Sequence, residues 1–275
     1  MRRVRILLPP SEAKRPGGTG TALANRSAAE GTRLRQELSR TRRLLLDTVT
    51  RLCRERPELA ADLLRLPAAV AEPAIAANAS VWQAPTMPAL DRFTGVLYDA
   101  FSPGTLSLTA RATAEQSVLV FDGAFGVLTG DEPVPDHRVP ASAALPDLGG
   151  VAALWRPVLA KALSPALDGH LVVDLRSTDY AAMWRPTRAE ATAVLPVRVL
   201  VAQPSGGTVR HVVSSVPSKV GKGLLARALC STRRRVRTPR DVLAVATAAG
   251  FEVLPSTRGV DLLFDFVPKG AARRT

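Results

Sequence analysis

The chain has 275 residues, 46% of them hydrophobic and only 4% aromatic, so Ala, Leu and Val must fill a core large enough for one sizeable domain or two small ones. The 37 basic and 24 acidic residues leave a formal charge of +13, which favours a polyanionic partner, since each neutralised phosphate releases counterions; a basic surface kept for solubility is the competing explanation. Cys53 and Cys230 are the only cysteines and neither sits in a CxxC pair, which argues against a zinc centre or a disulfide framework, and no apolar run reaches the length of a membrane span.

In chain order, Val4 to Leu8 reads as a buried strand, stopped by Pro9-Pro10, which hold Ser11-Glu12-Ala13-Lys14 in a stiff extended turn. The apolar run is too short for a signal peptide, so the expected location is the cytoplasm, with both thiols reduced. Pro16 to Gly20 is a loop. Leu34, Leu38, Leu45, Val49 and Leu52 recur at helical spacing up to Pro57. Short helices follow around Leu59, Leu63 and Leu66 and over Ala68 to Ala79. Phe93 to Tyr98 reads as a strand or a tight turn into one. Ser117 to Phe121 is a continuous apolar run, hence a buried strand, ending in Asp122-Gly123-Ala124-Phe125-Gly126.

Residues 130–148, with four prolines, read as loop, and Leu154 to Leu163 as helix. Leu171-Val172-Val173 is a further buried strand, followed by Asp174-Leu175-Arg176-Ser177-Thr178-Asp179-Tyr180. Val197 to Ala202 and Thr208 to Val213 form a hairpin joined by Gly206-Gly207. Ser218-Lys219-Val220-Gly221-Lys222-Gly223 reads as a basic turn leading into a helix. Phe251 to Leu254 and Leu262 to Phe266 are the last strands, around Ser256 to Gly259. There is no internal repeat. The irregular alternation predicts an α/β mixed fold: one compact domain over 1–275 with a mixed central sheet wrapped by helices.

Several predicted turns follow apolar strands and carry polar groups: Ser11, Glu12 and Lys14; Asp122; Asp174, Arg176, Ser177 and Tyr180; Lys219 and Lys222. If the strands share a sheet and run the same way, these groups meet at one edge. Lysine and arginine there would take phosphate charge, and carboxylates would read the donor edges of a base. Polar residues after strands are also what ordinary turns look like. The Lys219–Lys222 segment lacks P-loop spacing, which argues against nucleotide hydrolysis by that route; its lysines either meet a phosphate at the following helix start or are solvated charges. His137, His170 and His211 lie too far apart in sequence for a ligand pair, so no metal and no cofactor is predicted. His137, beside Arg138, is a candidate to face a ligand.

Taken together, Leu7-Leu8-Pro9-Pro10-Ser11-Glu12-Ala13-Lys14, Phe93-Thr94-Gly95-Val96-Leu97-Tyr98, Phe121 to Leu128, Asp174 to Tyr180 and Ser218 to Gly223 resemble, in order and spacing, the signature segments of the YaaA family of peroxide stress proteins. The resemblance runs from residue 4 to about residue 266. It implies the compact YaaA-like (cantaloupe) fold with a positively charged cleft, a helix-hairpin-helix-like element and binding of double-stranded DNA. By position, 58–79 is the candidate for that element. The resemblance also implies protection against hydrogen peroxide by limiting free intracellular iron, and it places Arg138 at the family's arginine in that loop. The residues leave two functions open. One is a DNA-binding stress protein. The other is an enzyme acting on a nucleobase, nucleotide or related small molecule, in which Lys14 or Lys219 stabilises negative charge and Asp174 or Glu12 moves a proton.

Overall fold

The structure, a computed structural model, describes residues 4–27, 31–205, 208–256 and 259–264. Among them β1 (Arg5–Leu8) leads to α1 (Arg33–Glu55), α2 (Pro57–Leu63) and α3 (Ala68–Ala79). Then come β2 (Met87–Pro88), α4 (Ala89–Arg92), α5 (Val96–Phe101), α6 (Leu108–Ser117), β3 (Val118–Asp122) and β4 (Gly126–Thr129). Short bridges β5 (Pro133–Val134), β6 (Ala144–Leu145) and β7 (Gly149–Gly150) precede α7 (Val151–Leu167), β8 (Val172–Asp174) and α8 (Thr178–Ala181). The chain continues through β9 (Val194–Ser205), β10 (Thr208–Val212), α9 (Ser215–Ser231), α10 (Pro239–Ala248), β11 (Glu252–Leu254) and β12 (Val260–Leu263).

The large sheet has the order β11-β12-β9-β8-β1-β3-β4, with β10 paired to the far half of β9. From β12 to β3 every neighbouring pair is parallel, while β4, β10 and β11 run antiparallel to their partners. This is the predicted mixed sheet in one compact domain. Its centre is dry: Ile6, Leu7, Leu8, Val118, Val120 and Phe121 have no exposed surface, as expected for parallel strands covered on both faces. The register aligns Leu7 with Asp174 on one side and Leu8 with Val120 on the other. The tails of β1, β3 and β8 therefore leave the sheet at the same edge.

Helix α1 is amphipathic, burying Leu38, Leu45, Leu46 and Val49. One of its arginines goes inward as well. Arg42 donates to the carbonyls of Phe125 (2.8 Å) and Val127 (2.6 Å) and pairs with Glu132, pinning α1 to the β3–β4 turn. A charge taken this far from water persists because its donors are matched. The arginines of α1 thus divide: Arg42 is structural, whereas Arg40, Arg43, Arg51 and Arg54 are exposed.

Two segments differ from their sequence reading. Phe93 to Tyr98 is no strand: it is the turn between α4 and α5, made by Gly95 at φ +87°, after which Leu97, Tyr98 and Phe101 pack inward from a helix. The Ser218–Gly223 segment is no turn either; it lies inside α9. Its glycines are there for space. A Cβ at Gly221 would stand 2.5 Å from Val199 Cγ1, and one at Gly223 2.2 Å from the Leu97 carbonyl oxygen. Gly206-Gly207, Thr257-Arg258 and the end of the last predicted strand, Phe266 included, lie outside the described residues. The α2–α3 hairpin turns at Leu64 to Pro67 without glycine, and Arg65 takes φ +52°. The amides of Leu64, Arg65 and Leu66 donate to Ala60, Asp62 and Ala61.

Candidate functional site

The prolines after β1 turn the chain across the sheet edge, where residues 13–15 dock on the α4–α5 turn. Lys14 pairs with Phe93 in an isolated antiparallel bridge, Thr94 N donates to Ala13 O (3.1 Å), and Arg15 N donates to Arg92 O (2.8 Å). Arg92, which has no exposed surface, fastens the far side of this loop by donating to Gly17 O (2.9 Å), Pro85 O (3.1 Å) and Val134 O (3.1 Å). The half-buried Ser11 abuts Gly95: a Cβ there would stand 3.0 Å from Ser11 Oγ. Lys14 is thereby folded inward. Its Nζ donates to Ser11 O (3.1 Å) and lies 5.3 Å from the centre of the Phe93 ring. Burial lowers its pKa, and Arg138 adds to the fall, against the pull of Asp122, Glu12 and Asp136.

Asp122, at the tail of β3, is 2% exposed. Its Oδ1 accepts from the amides of Ala124 (2.8 Å) and Phe125 (3.0 Å), and its Oδ2 lies 2.9 Å from His137 Nε2. His137 Nδ1 lies 3.0 Å from Pro135 O. Burial opposes ionisation of Asp122, but His137, Lys14 and the Phe125 amide outweigh it and hold the carboxyl below its usual range. With Asp122 ionised, His137 Nε2 donates to Oδ2, a hydrogen bond held out of contact with water. The ring is boxed edge-on by Phe125 (4.9 Å between centroids) and Phe93 (6.4 Å). Asn78 of α3 sets the His137 loop by grasping both backbone groups of Arg138: its Oδ1 accepts from Arg138 N (2.8 Å) and its Nδ2 donates to Arg138 O (3.0 Å).

Two tyrosines close the site. Tyr98 donates from its hydroxyl to Pro9 O (2.8 Å). Burial, with Asp122 and Tyr180, raises its pKa well above the ordinary value. Tyr180 is raised by burial, Asp122 and Glu12, which places its hydroxyl in the field of groups carried by β1 and β3 although it follows β8.

Of the predicted residues, the structure brings together Ser11, Glu12, Lys14, Asp122, Arg138 and Tyr180; the exposed Glu12 pairs with Arg138 at 3.0 Å. Asp174 and Arg176 lie at the tail of β8, engaged with each other. Arg176 Nε and Nη2 meet Asp174 Oδ1 (2.9 Å) and Oδ2 (2.7 Å), Nη1 donates to Trp184 O (3.0 Å), and the guanidinium lies 4.3 Å over the Phe121 ring. The bidentate pair and the stack occupy Arg176 as a brace between β8 and β3. Lys222 reaches it from α9, donating to Arg176 O (3.1 Å); burial and Lys219 lower its pKa, and Asp174 counters them. Lys219 is exposed, as is Ser177 at the start of α8.

His137, Tyr98, Arg92 and Asn78 belong to the site as well. Sequence flagged His137 only as a neighbour of Arg138. The signal for the others was weak: a polar side chain within otherwise apolar or small-residue stretches. The site carries Lys14 and Arg138 against Glu12, Asp122 and Asp136, with His137 bonded to Asp122, around a buried amine. Such an arrangement can hold a small polar ligand and exchange protons with it. Among the described residues no group of three or more His, Cys, Asp or Glu side chains is placed to hold a metal ion, and no helix is long and apolar enough to cross a membrane.

Residues 4–257 match the family model described as peroxide stress protein YaaA, a span that includes every residue of the site. The chain is 34% identical over 248 residues to a UPF0246 protein of Streptomyces coelicolor, covering 90% of this chain and 91% of that one. It is 32% identical over 252 residues to a UPF0246 protein of Corynebacterium efficiens, with 90% and 94% covered. A UPF0246 protein of Burkholderia cenocepacia is 26% identical over 162 residues, 56% of this chain and 60% of that one.

Proposed function

The chain belongs to the peroxide stress protein YaaA family, a membership that supports a role in oxidative stress, and from that premise we propose that it protects DNA by binding it, with any limitation of free iron following indirectly. The observation that carries this reading is a set of arginines that stand exposed among the described residues, while Lys14, Arg138, Arg176 and Lys222 of the cleft are engaged by protein groups. On the α1–α3 side these are Arg40, Arg43, Arg51, Arg54, Arg56 and Arg65. They flank the helical hairpin proposed to meet the duplex. Since its turn amides are spent internally, phosphate contact here falls to the arginine side chains. Binding of this kind has weak sequence preference and a steep salt dependence.

Fluorescence anisotropy with a labelled duplex at about 50 and 200 mM salt tests the reading. The expected result is a loss of affinity of at least tenfold across that range. Affinity that ignores salt, or no binding, removes it.

A second reading is favoured by one observation, the buried Lys14 amine beside the Asp122–His137 pair and two tyrosines. This is chemistry for a base- or nucleotide-sized ligand, with Lys14 facing its developing negative charge and the Asp122–His137 pair supplying or taking a proton. Thermal-shift screening with nucleobases and nucleotides checks it: a stabilising ligand whose effect is abolished by Lys14→Ala, with the unliganded melt intact, is the expected outcome.

A further inference from the structure

The loop between α9 and α10 carries Arg233, Arg234, Arg235 and Arg237, and Arg240 follows in the first turn of α10. All are exposed, and none forms an ion pair among the described residues. The nearby carboxylate, Asp241, feels the charge of Arg234 but makes no ion pair with it, being engaged at the start of α10. It accepts from Arg237 N (3.0 Å), Thr238 N (3.0 Å) and Thr238 Oγ1 (2.9 Å), closing the capping box of α10. A cation or two after a helix favours its C-terminal carbonyls; five within eight residues exceed that need and repel one another.

A cavity of about 270 Å³ opens under this loop. Arg233 to Arg237 form its wall, and its floor includes Val4 and Ser117, the residues just before β1 and β3. Ser117 is 1% exposed, and its hydroxyl has no hydrogen-bond partner among the described residues. A buried hydroxyl without a partner is costly. Because the cavity lies at the starts of β1 and β3, it occupies the sheet edge opposite the Lys14–Asp122 site. It is also separate from the α1–α3 face: α9 packs against α5, α6 and β9, whereas α1 packs against α3, α7 and β4.

We propose that this arginine loop is a second, independent phosphate-binding face, and that its occupant is the backbone of double-stranded DNA. The inference rests on the DNA-binding reading and adds to it a named contact surface. With anion-binding faces on different sides, one molecule can touch two duplex segments, or two turns of one that bends around it. Four adjacent unpaired guanidiniums match a polyanion rather than a lone phosphate, because a single ion would neutralise one or two of them and leave the rest repelling.

The test is the slope of log affinity against log salt for a duplex of about 25 base pairs, the length of two to three helical turns. The proteins compared are the wild type, a loop variant (Arg233→Gln, Arg234→Gln, Arg235→Gln) and a control with the same charge change at other exposed arginines (Arg185→Gln, Arg188→Gln, Arg210→Gln). The loop variant is expected to be shallower by about 2.7, at ~0.9 per phosphate contact, and the control to stay near wild type. A loop variant with the wild-type slope, or a control that loses as much as the loop variant, overturns the inference. Wild-type protein that fails to bind at any salt overturns the DNA-binding reading itself, before any variant is compared. Circular dichroism melts of the three proteins check the fold, and single Arg233→Gln and Arg235→Gln variants, each expected to lose about 0.9 of slope, replace the triple variant if its melting temperature falls.

Discussion

Asp122 shows how one residue can both hold a site and tune it. It ties the β3–β4 turn by two amides and bonds His137 out of contact with water. Asp122→Asn removes the charge to which the Ala124 and Phe125 amides and His137 are bonded, and the expected cost is about 2 kcal/mol in a denaturant titration at neutral pH. The pH dependence has a definite sign. The Asp122 carboxyl sits below its unfolded value, so the unfolded chain takes up the proton first as pH falls. The stability from this group is complete above about pH 4 and is lost as pH drops through the folded value. Asp122→Asn flattens that part of the acid limb. Lys14 behaves oppositely. Its pKa is lowered in the fold, chiefly by burial, so wild-type stability rises as pH climbs through the folded value towards the unfolded one, about 10.4. Lys14→Met removes a buried charge at similar volume, and its expected effect at pH 7 is neutral or slightly stabilising, with the alkaline rise gone. A large loss of stability in Lys14→Met would show the amine to be a structural keystone rather than a group kept for a ligand.

At the scale of elements, the α5–α9 crossing decides whether the site is assembled. α5 starts at Gly95 against Ser11, and α9 delivers Lys222 to Arg176. The two helices meet where Gly223 leaves no room beside the Leu97 carbonyl. Gly223→Ala wedges them apart, with an expected cost of about 2 kcal/mol, read from the denaturant midpoint. Because α5 and Ser11 move together, any ligand-induced thermal shift should shrink in this variant by more than the stability loss explains. These elements are also where sequence reasoning failed. In Phe93 to Tyr98, aromatics and a glycine mimic strand chemistry, and only the packing of Tyr98 and Phe101 into the core selects the helix. In Ser218 to Gly223, glycines at i and i+2 read as turn punctuation. A helix holds them because close neighbours exclude side chains at both positions.

For the whole molecule, the charge surplus governs behaviour before any specific contact does. With a sequence pI near 11, protein purified at low salt is expected to carry nucleic acid, visible as a raised 260/280 nm absorbance ratio, and to release it in about 1 M salt. A clean ratio at low salt would count against both DNA-facing surfaces. The family and the mixed α/β class were legible in the sequence because local patterns encode them. The apolar runs at Val4–Leu8, Ser117–Phe121 and Leu171–Val173 mark buried strands, and the proline- and glycine-rich segments that follow them sit in order along the chain. That the polar tails of three such strands share one edge depended on the strands being parallel, and nothing local records direction. Likewise, Arg42, Arg92 and Arg176 look in sequence like any other arginine among 37 basic residues. Only the fold buries them against carbonyls and carboxylates and leaves Arg233 to Arg240 to the solvent. Pattern and composition act through neighbours in the chain; the pairing of Arg42 with Glu132, 90 positions on, and the field of Asp122 at Lys14 arise between distant segments, and so they were settled only when the sheet closed.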